Sequence, residues 1–287
     1  MLVVVGTIPD PDVPVLDALV EVAGSALTVG GRALPPDRGT PALLAAAAMT
    51  CDFLGENPPH ALLVGDEGLG NGSRALYRHL TEALPERRCA VLAFHYLQPD
   101  VDWHNRVLMA AQAMAGAPAL VADAGFMYAA KMSGFAGEYA LFTPDAGELA
   151  FLADEAAPHP FYTRGFILQD EDRVPELIRR AYEHDNAARC LLVKGRTDRI
   201  ADRTGVLAEV STPSVEPMEA MGGTGDTVTG MACALMASGV DAPRAAHVAA
   251  QANRYAGEAA RPTPASQIGD LVPHIPQALA RAMGELL

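Results

Sequence analysis

Basic residues are scarce in this chain. Only 21 Lys and Arg stand against 35 Asp and Glu, a formal net charge of -14 over 287 residues. A surface of that sign repels phosphodiester backbones and anionic lipid, which argues against nucleic acid or membrane as a partner. A nucleotide stays open as a ligand, because a local nest of backbone N–H groups holds phosphate even in an acidic protein. Cysteine is sparse too. Cys51, Cys89, Cys190 and Cys233 lie too far apart for a redox motif or a zinc site. They fit buried thiols of a reducing compartment. Long apolar runs are missing. The longest, 42–49, falls well short of the roughly 20 residues that span a bilayer. Residues 1–6 lack the length and basic flank of a secretory signal. A cytoplasmic protein is expected. There is no Gly-x-Ser-x-Gly elbow and no histidine pair at helical metal-ligand spacing. His95, His104 and His159 remain single pocket candidates, and a lone histidine is more often structural. No linker, charge block, low-complexity tract or repeat divides the chain, so one domain over 1–287 is expected.

Half of the residues are hydrophobic, enough for a large core. Strands are expected at 2–6, 61–65, 89–94, 119–122, 139–142 and 190–193. Helices are expected at 13–23, 41–54, 73–84, 101–115, 145–152, 173–184, 242–260 and 273–286. Residues 156–169, with Pro158, Pro160 and Gly165, read as an irregular insertion. Residues 199–201 and 206–210 flank Asp202-Arg203-Thr204-Gly205 as a hairpin. Alternating strands and helices build a mostly parallel sheet covered on both faces. Ligands of such sheets sit beyond the carboxyl ends of the strands. The segments 65–72, 143–148, 194–196 and 222–226 all follow strands, and are expected to meet in one crevice.

The richest segment is Gly222-Gly223-Thr224-Gly225-Asp226-Thr227-Val228-Thr229-Gly230, which runs into an apolar helix. Glycine permits a tight turn and close backbone approach. A helix start offers free N–H groups to an anion. Asp226 beside such a nest could take a proton from a nucleophile, the arrangement that phosphoryl transfer needs. The plain alternative is a turn capped by Asp226. In Thr143-Pro144-Asp145-Ala146-Gly147-Glu148 the carboxylates are three apart, as in a capping box, yet both could also organise magnesium and its waters. Lys194 ends an apolar strand and either reaches solvent or enters the crevice. Asp66 and Glu67 are metal ligands or solvated loop residues.

In order and spacing these segments resemble the ribokinase-like superfamily. They are most similar to its ADP- or ATP-dependent NAD(P)H-hydrate dehydratase family, also labelled a carbohydrate-kinase domain. That family's Gly-Gly-Ser-Gly-Asp-x-Leu-x-Gly stands here at 222–230, its Thr-Pro-His-Pro-Gly-Glu at 143–148, its Gly-Pro-Gly-Leu-Gly at 65–70, and its strand-end lysine at Lys194. The resemblance implies a three-layer α/β sandwich with a mostly parallel central sheet, helices on both faces and no separate lid domain. It implies nucleotide at Lys194, Gly222, Gly223, Thr224 and Gly225, and Asp226 as catalytic base. Gly68, Gly70, Asp123, Asp145 and Glu148 fall in the region of substrate or metal-bound water, with Glu148 reaching metal indirectly. The implied cofactors are ATP or ADP with Mg2+, and the implied substrate is hydrated NADH or NADPH. A homo-oligomer is left open.

The chain departs from the family pattern around the substrate. Asp145 replaces a histidine, 215–219 lack Asn-x-Gly-Met, and Asp-Ala-Asp-Ala survives only as Val121-Ala122-Asp123-Ala124. The 65–70 loop lacks its proline and gains Asp66 and Glu67. A kinase of a small hydroxylated metabolite, and a nucleotide binder without catalysis, therefore stand as alternatives.

Overall fold

The computed structural model describes residues 1–23, 26–155 and 171–286. The expected insertion at 156–169, His159 included, lies outside the described residues. The strands among them are β1 Leu2–Ile8, β2 Leu16–Ala23, β3 Ala26–Val29, β4 Arg32–Leu34, β5 His60–Gly65, β6 Val91–His95, β7 Ala119–Ala122, β8 Leu141–Phe142, β9 Cys190–Val193, β10 Asp198–Asp202 and β11 Gly205–Val210. They form one sheet in the order β11-β10-β9-β8-β7-β6-β1-β5-β2-β3-β4. The run from β9 to β5 is parallel. The β10–β11 hairpin closes one edge and the β2–β3–β4 meander the other, both antiparallel.

Alternation along β1 shows why helices cover both faces. Leu2 and Val4 join one core and Val3 and Val5 the other, as a two-residue period requires. The helices of the first core are α1 Gly39–Phe53, α8 Thr224–Ala237, α9 Ala242–Ala260, α10 Ile268–Leu271 and α11 Ile275–Leu286. The second core holds α2 Asn71–Ala83, α3 Val101–Gln112, α4 Gly125–Met132, α5 Ala146–Ala153 and α6 Val174–Glu183. The short α7, Pro217–Ala220, precedes α8. Helix α8 lies directly on α1. A Cβ at Gly230 would come 2.2 Å from the Leu43 carbonyl oxygen, so only glycine lets the two backbones approach this closely. That contact sets the first turn of α8 beside the first turn of α1.

The N-terminal region differs from expectation. Residues 13–23 do not form a helix: 16–23 are strand β2. Leu16, Ala18, Val20 and Val22 face the first core, a period of two that the exposed Leu19 hides in the sequence. The strand is held by antiparallel pairing to β5. Asp17 also accepts from His60 (2.6 Å), His79 (3.0 Å) and Arg87. Strands β3 and β4 and helix α4 were not expected, being too short for a periodicity signal. The 139–142 strand shrinks to Leu141–Phe142.

Candidate active site

Strands β1 and β6 are neighbours, yet the connection from β1 to β5 places α1 on one face while α3, which follows β6, lies on the other. Such a switch in connection direction opens a crevice at the carboxyl ends of the strands. The side chains with chemistry gather there.

Asp226 lies in the first turn of α8. Gly223 caps that helix at φ 105°, and a Cβ on it would meet Ile268 and the Arg38 backbone at 2.8 and 2.9 Å. Glycine is therefore required on two counts. Helix α1 has no acidic residue in its own first turn and no side-chain cap from Arg38. Asp226 fills that role from another helix: Gly39 N donates to its Oδ2 at 2.6 Å. The His95 ring, at the end of β6, meets Oδ1 at 3.0 Å. Burial pushes the carboxyl up, but the His95 bond and charge, the Lys194 charge and the Gly39 amide outweigh it and hold Asp226 below the usual range. It is an ionised carboxylate between two helix N-termini.

Lys194, just beyond β9, turns into the crevice. Its Nζ donates to both oxygens of Asp123 at 2.9 and 3.0 Å. Burial alone would lower this ammonium, and Asp123, Glu148 and Asp226 together raise it above its ordinary value. Its stem crosses Gly225, where a Cβ would lie 3.2 Å from Lys194 Cδ. Asp123 also accepts from Ala124 N at 2.8 Å and Thr229 Oγ1 at 2.7 Å. His95, Asp123 and Asp226 lie close enough to share an ion, but the Lys194 ammonium already supplies a cation to the same carboxylates. Tyr96 and Ala124, which follow His95 and Asp123, hold φ of 54° and 53°. Such backbone is strained for residues with a Cβ and clusters at functional sites.

Asp145 and Glu148 form a capping box on α5, with Glu148 N to Asp145 Oδ1 at 2.7 Å and Asp145 N to Glu148 Oε2 at 2.9 Å. The expected structural role is therefore present. The pair also sits against Lys194, whose backbone N donates to Pro144 O at 2.8 Å. Burial pushes the Glu148 carboxyl up to about 8, against the pull of Lys194 and with the push of Asp123 and Asp145. An oxygen-only donor pair of this kind suits magnesium, which keeps several of its waters.

The 65–72 segment stands apart. Asp66 accepts from the amides of Gly68, Gly70 and Ser73 and from Ser73 Oγ, so its carboxylate is committed to the start of α2. Gly68 and Gly70 adopt φ of 87° and 77° and pack near Gln98 rather than against Asp226 or Lys194. Gly70 occupies the cap position of α2, which starts at Asn71. His104 is structural, bonded to Tyr139 and Ser133. The crevice thus brings together Asp226, Lys194, Asp123, Glu148 and the turn of Gly222, Gly223, Thr224 and Gly225. The sequence reading undervalued His95 and missed the Gly39 amide. His95 did carry one local signal, since it ends β6 as Lys194 follows β9 and Asp123 follows β7.

A sheet with parallel central strands and helices on both faces is the ribokinase-like fold, shared at a TM-score of 0.55 and 13% identity with a ribokinase-like superfamily protein of Enterococcus faecalis over 98% of this chain and 87% of its own. A sequence model of the NAD(P)H-hydrate dehydratase carbohydrate-kinase family matches residues 99–280, and the chain belongs to that family. The 65–70 loop and His95 lie outside the matched residues. An uncharacterised protein of Methanocaldococcus jannaschii is 34% identical over 84% of this chain and its own whole length. The ADP-dependent (S)-NAD(P)H-hydrate dehydratase of Cenarchaeum symbiosum is 32% identical over 48% of this chain and 43% of its own. Among solved structures, the ADP/ATP-dependent NAD(P)H-hydrate dehydratase of Bacillus subtilis, co-crystallised with ATP/Mg2+, aligns over 98% of this chain and 92% of its own. Its TM-score is 0.58 at 14% identity, a likeness of fold.

Proposed function

We propose that this protein is a nucleotide-dependent NAD(P)H-hydrate dehydratase that repairs hydrated NADH or NADPH. The observation that carries the reading is Asp226, an ionised carboxylate at the glycine-turned start of α8, 3.0 Å from His95 and held by the Gly39 amide. Asp226 takes the proton of the hydroxyl on the hydrated nicotinamide ring. The freed oxygen bonds to the terminal phosphorus of ATP or ADP, and the bond from that phosphorus to the departing nucleotide breaks. The amides of Thr224 and Gly225, at a helix start, point at the transferred group. Phosphate then leaves with its C–O electron pair as the adjacent ring carbon gives up a proton, which ends on the departing phosphate, and the C–H electron pair restores the double bond. Lys194 balances negative charge beside Gly225. Magnesium, when bound through water at Asp145 and Glu148, would neutralise phosphate charge. The reading carries a single cytoplasmic domain.

The test is direct. The protein is incubated with hydrated NADH or NADPH, magnesium and either ATP or ADP, and recovery of the reduced nicotinamide absorbance is followed. A panel of hydroxylated metabolites is run beside it, because Asp145 places an anion where relatives of the family carry histidine. Recovery only with a hydrated dinucleotide is the expected result. Phosphorylation of another acceptor without dinucleotide recovery would favour a kinase.

A further inference from the structure

We infer that His95 is the positioning residue of the base: its Nε2–H fixes one oxygen of Asp226 while the Gly39 amide fixes the other, so the carboxylate meets a substrate hydroxyl in a single orientation. This rests on reading Asp226 as the base. The ring is only 1% exposed and both of its nitrogens are committed. Nε2 lies 3.0 Å from Asp226 Oδ1, and Nδ1 lies 2.9 Å from Thr40 Oγ1. The Thr40 hydroxyl has one hydrogen and two acceptors in reach, Nδ1 and the Thr7 carbonyl at 2.8 Å. If the hydrogen goes to Thr7, Nδ1 must donate to Thr40, and Nε2 must also donate to face a carboxylate. If it goes to Nδ1, the ring is neutral with its hydrogen on Nε2. Both patterns put a hydrogen on Nε2, aimed at Asp226.

The surrounding chain is shaped for this chain of bonds. A Cβ at Gly6 would come 2.6 Å from Thr40 Cγ2 and 3.0 Å from His95 O, so glycine there leaves room for Thr40 to reach the ring. The strained backbone at Tyr96 follows immediately. With Oδ1 and Oδ2 each held by one donor, the remaining lone pairs of the carboxylate point in defined directions, and a proton acceptor works only in a fixed geometry.

Two polar variants separate positioning from mere filling of space. In His95→Gln the amide reaches the place of Nε2 and still donates to Asp226. In His95→Asn it stops near Nδ1 and leaves Oδ1 without that donor. The first readout is carbon NMR titration of the Asp226 carboxyl in aspartate-labelled protein, assigned with Asp226→Asn. The groups facing this carboxyl are His95 from β6, the Gly39 amide from α1, Lys194 after β9, Asp123 after β7 and the Tyr96 phenol. His95→Asn should move the titration up by about one unit, the loss of a charge-assisted bond, and His95→Gln should keep it near wild type. The second readout is turnover: in His95→Asn kcat falls about 10- to 100-fold with nucleotide KM held within about twofold, and glutamine restores most of it. Equal behaviour of the two variants in titration and rate overturns the inference. If Asp226→Asn is inactive while His95→Asn matches wild type, the base stands and the role of His95 is overturned. If Asp226→Asn keeps its turnover, the base is misassigned and the inference falls with it.

Discussion

The two halves of this sheet differ in how they serve the same carboxylate. The C-terminal part, within the family match of 99–280, contributes Asp226, Lys194, Asp123 and the glycine turn. In the proposed mechanism these are the groups that act on the substrate or balance its charge. The N-terminal part, outside that match, contributes the Gly39 amide, Thr40 and His95. Gly39 and His95 hold Asp226, and the buried Thr40 in turn holds His95. The carboxylate and its supports therefore come from segments with separate sequence signals. The contact of α8 on α1 through Gly230 is what joins them.

The comparison is broken most severely at Asp226 itself. Asp226→Asn keeps the shape and one hydrogen-bond acceptor but not the charge. It should lose on the order of 100- to 10,000-fold in kcat, with nucleotide affinity nearly unchanged in a binding titration. Gly223→Val attacks the matched half through backbone. It forces a branched side chain onto φ 105° and into the Arg38 backbone. Nucleotide Kd should rise tenfold or more, about 1.4 kcal/mol, while circular dichroism reports a folded protein. Unchanged affinity would remove the glycine turn from the nucleotide site.

Glu148→Gln sharpens the comparison, since the amide oxygen still accepts from Asp145 N and the capping box survives. Stability measured in urea should change by less than about 1 kcal/mol. Turnover should slow or need more magnesium. A stability loss with normal kinetics would assign Glu148 to the helix cap alone.

The smallest effect is expected at the far edge. Burial pushes the Asp17 carboxyl up, but the bonds from His60, Arg87 and His79 together outweigh it and hold the group at about 2, below its ordinary 3.8. The depressed group stabilises the fold above 3.8, and that contribution is lost as pH falls through about 2. Because the cluster is open to solvent, it is worth less than about 1 kcal/mol. Wild type and Asp17→Asn should differ in urea unfolding at about pH 6 and converge near about pH 2, with no change in the kinetics of the distant crevice.

Legibility in the sequence followed the range of each signal. The glycine turn, the capping box of Asp145 and Glu148, the strand-end lysine and the 242–260 helix are local patterns, and each stands where its spacing placed it. Strand β2 was not legible. Its alternation is interrupted at Leu19, and it becomes a strand because the free edge of β5 offers backbone partners. The 65–70 loop looked like part of the site because its glycines resembled a family motif, yet Asp66 turns inward to cap its own loop.

Composition, charge, the alternation of strands and helices and the segment at 222–230 by themselves determined an acidic α/β protein with a glycine turn at a helix start and a carboxylate beside it. These depend on residues close together in the chain, where backbone geometry leaves few choices. Only the tertiary structure decided what holds that carboxylate. Gly39 is 187 positions from Asp226 and His95 is 131. No local preference of either segment encodes the meeting. It comes from the order of strands in the sheet and from the absence of a side chain at Gly230, which lets two helix starts close on one carboxylate.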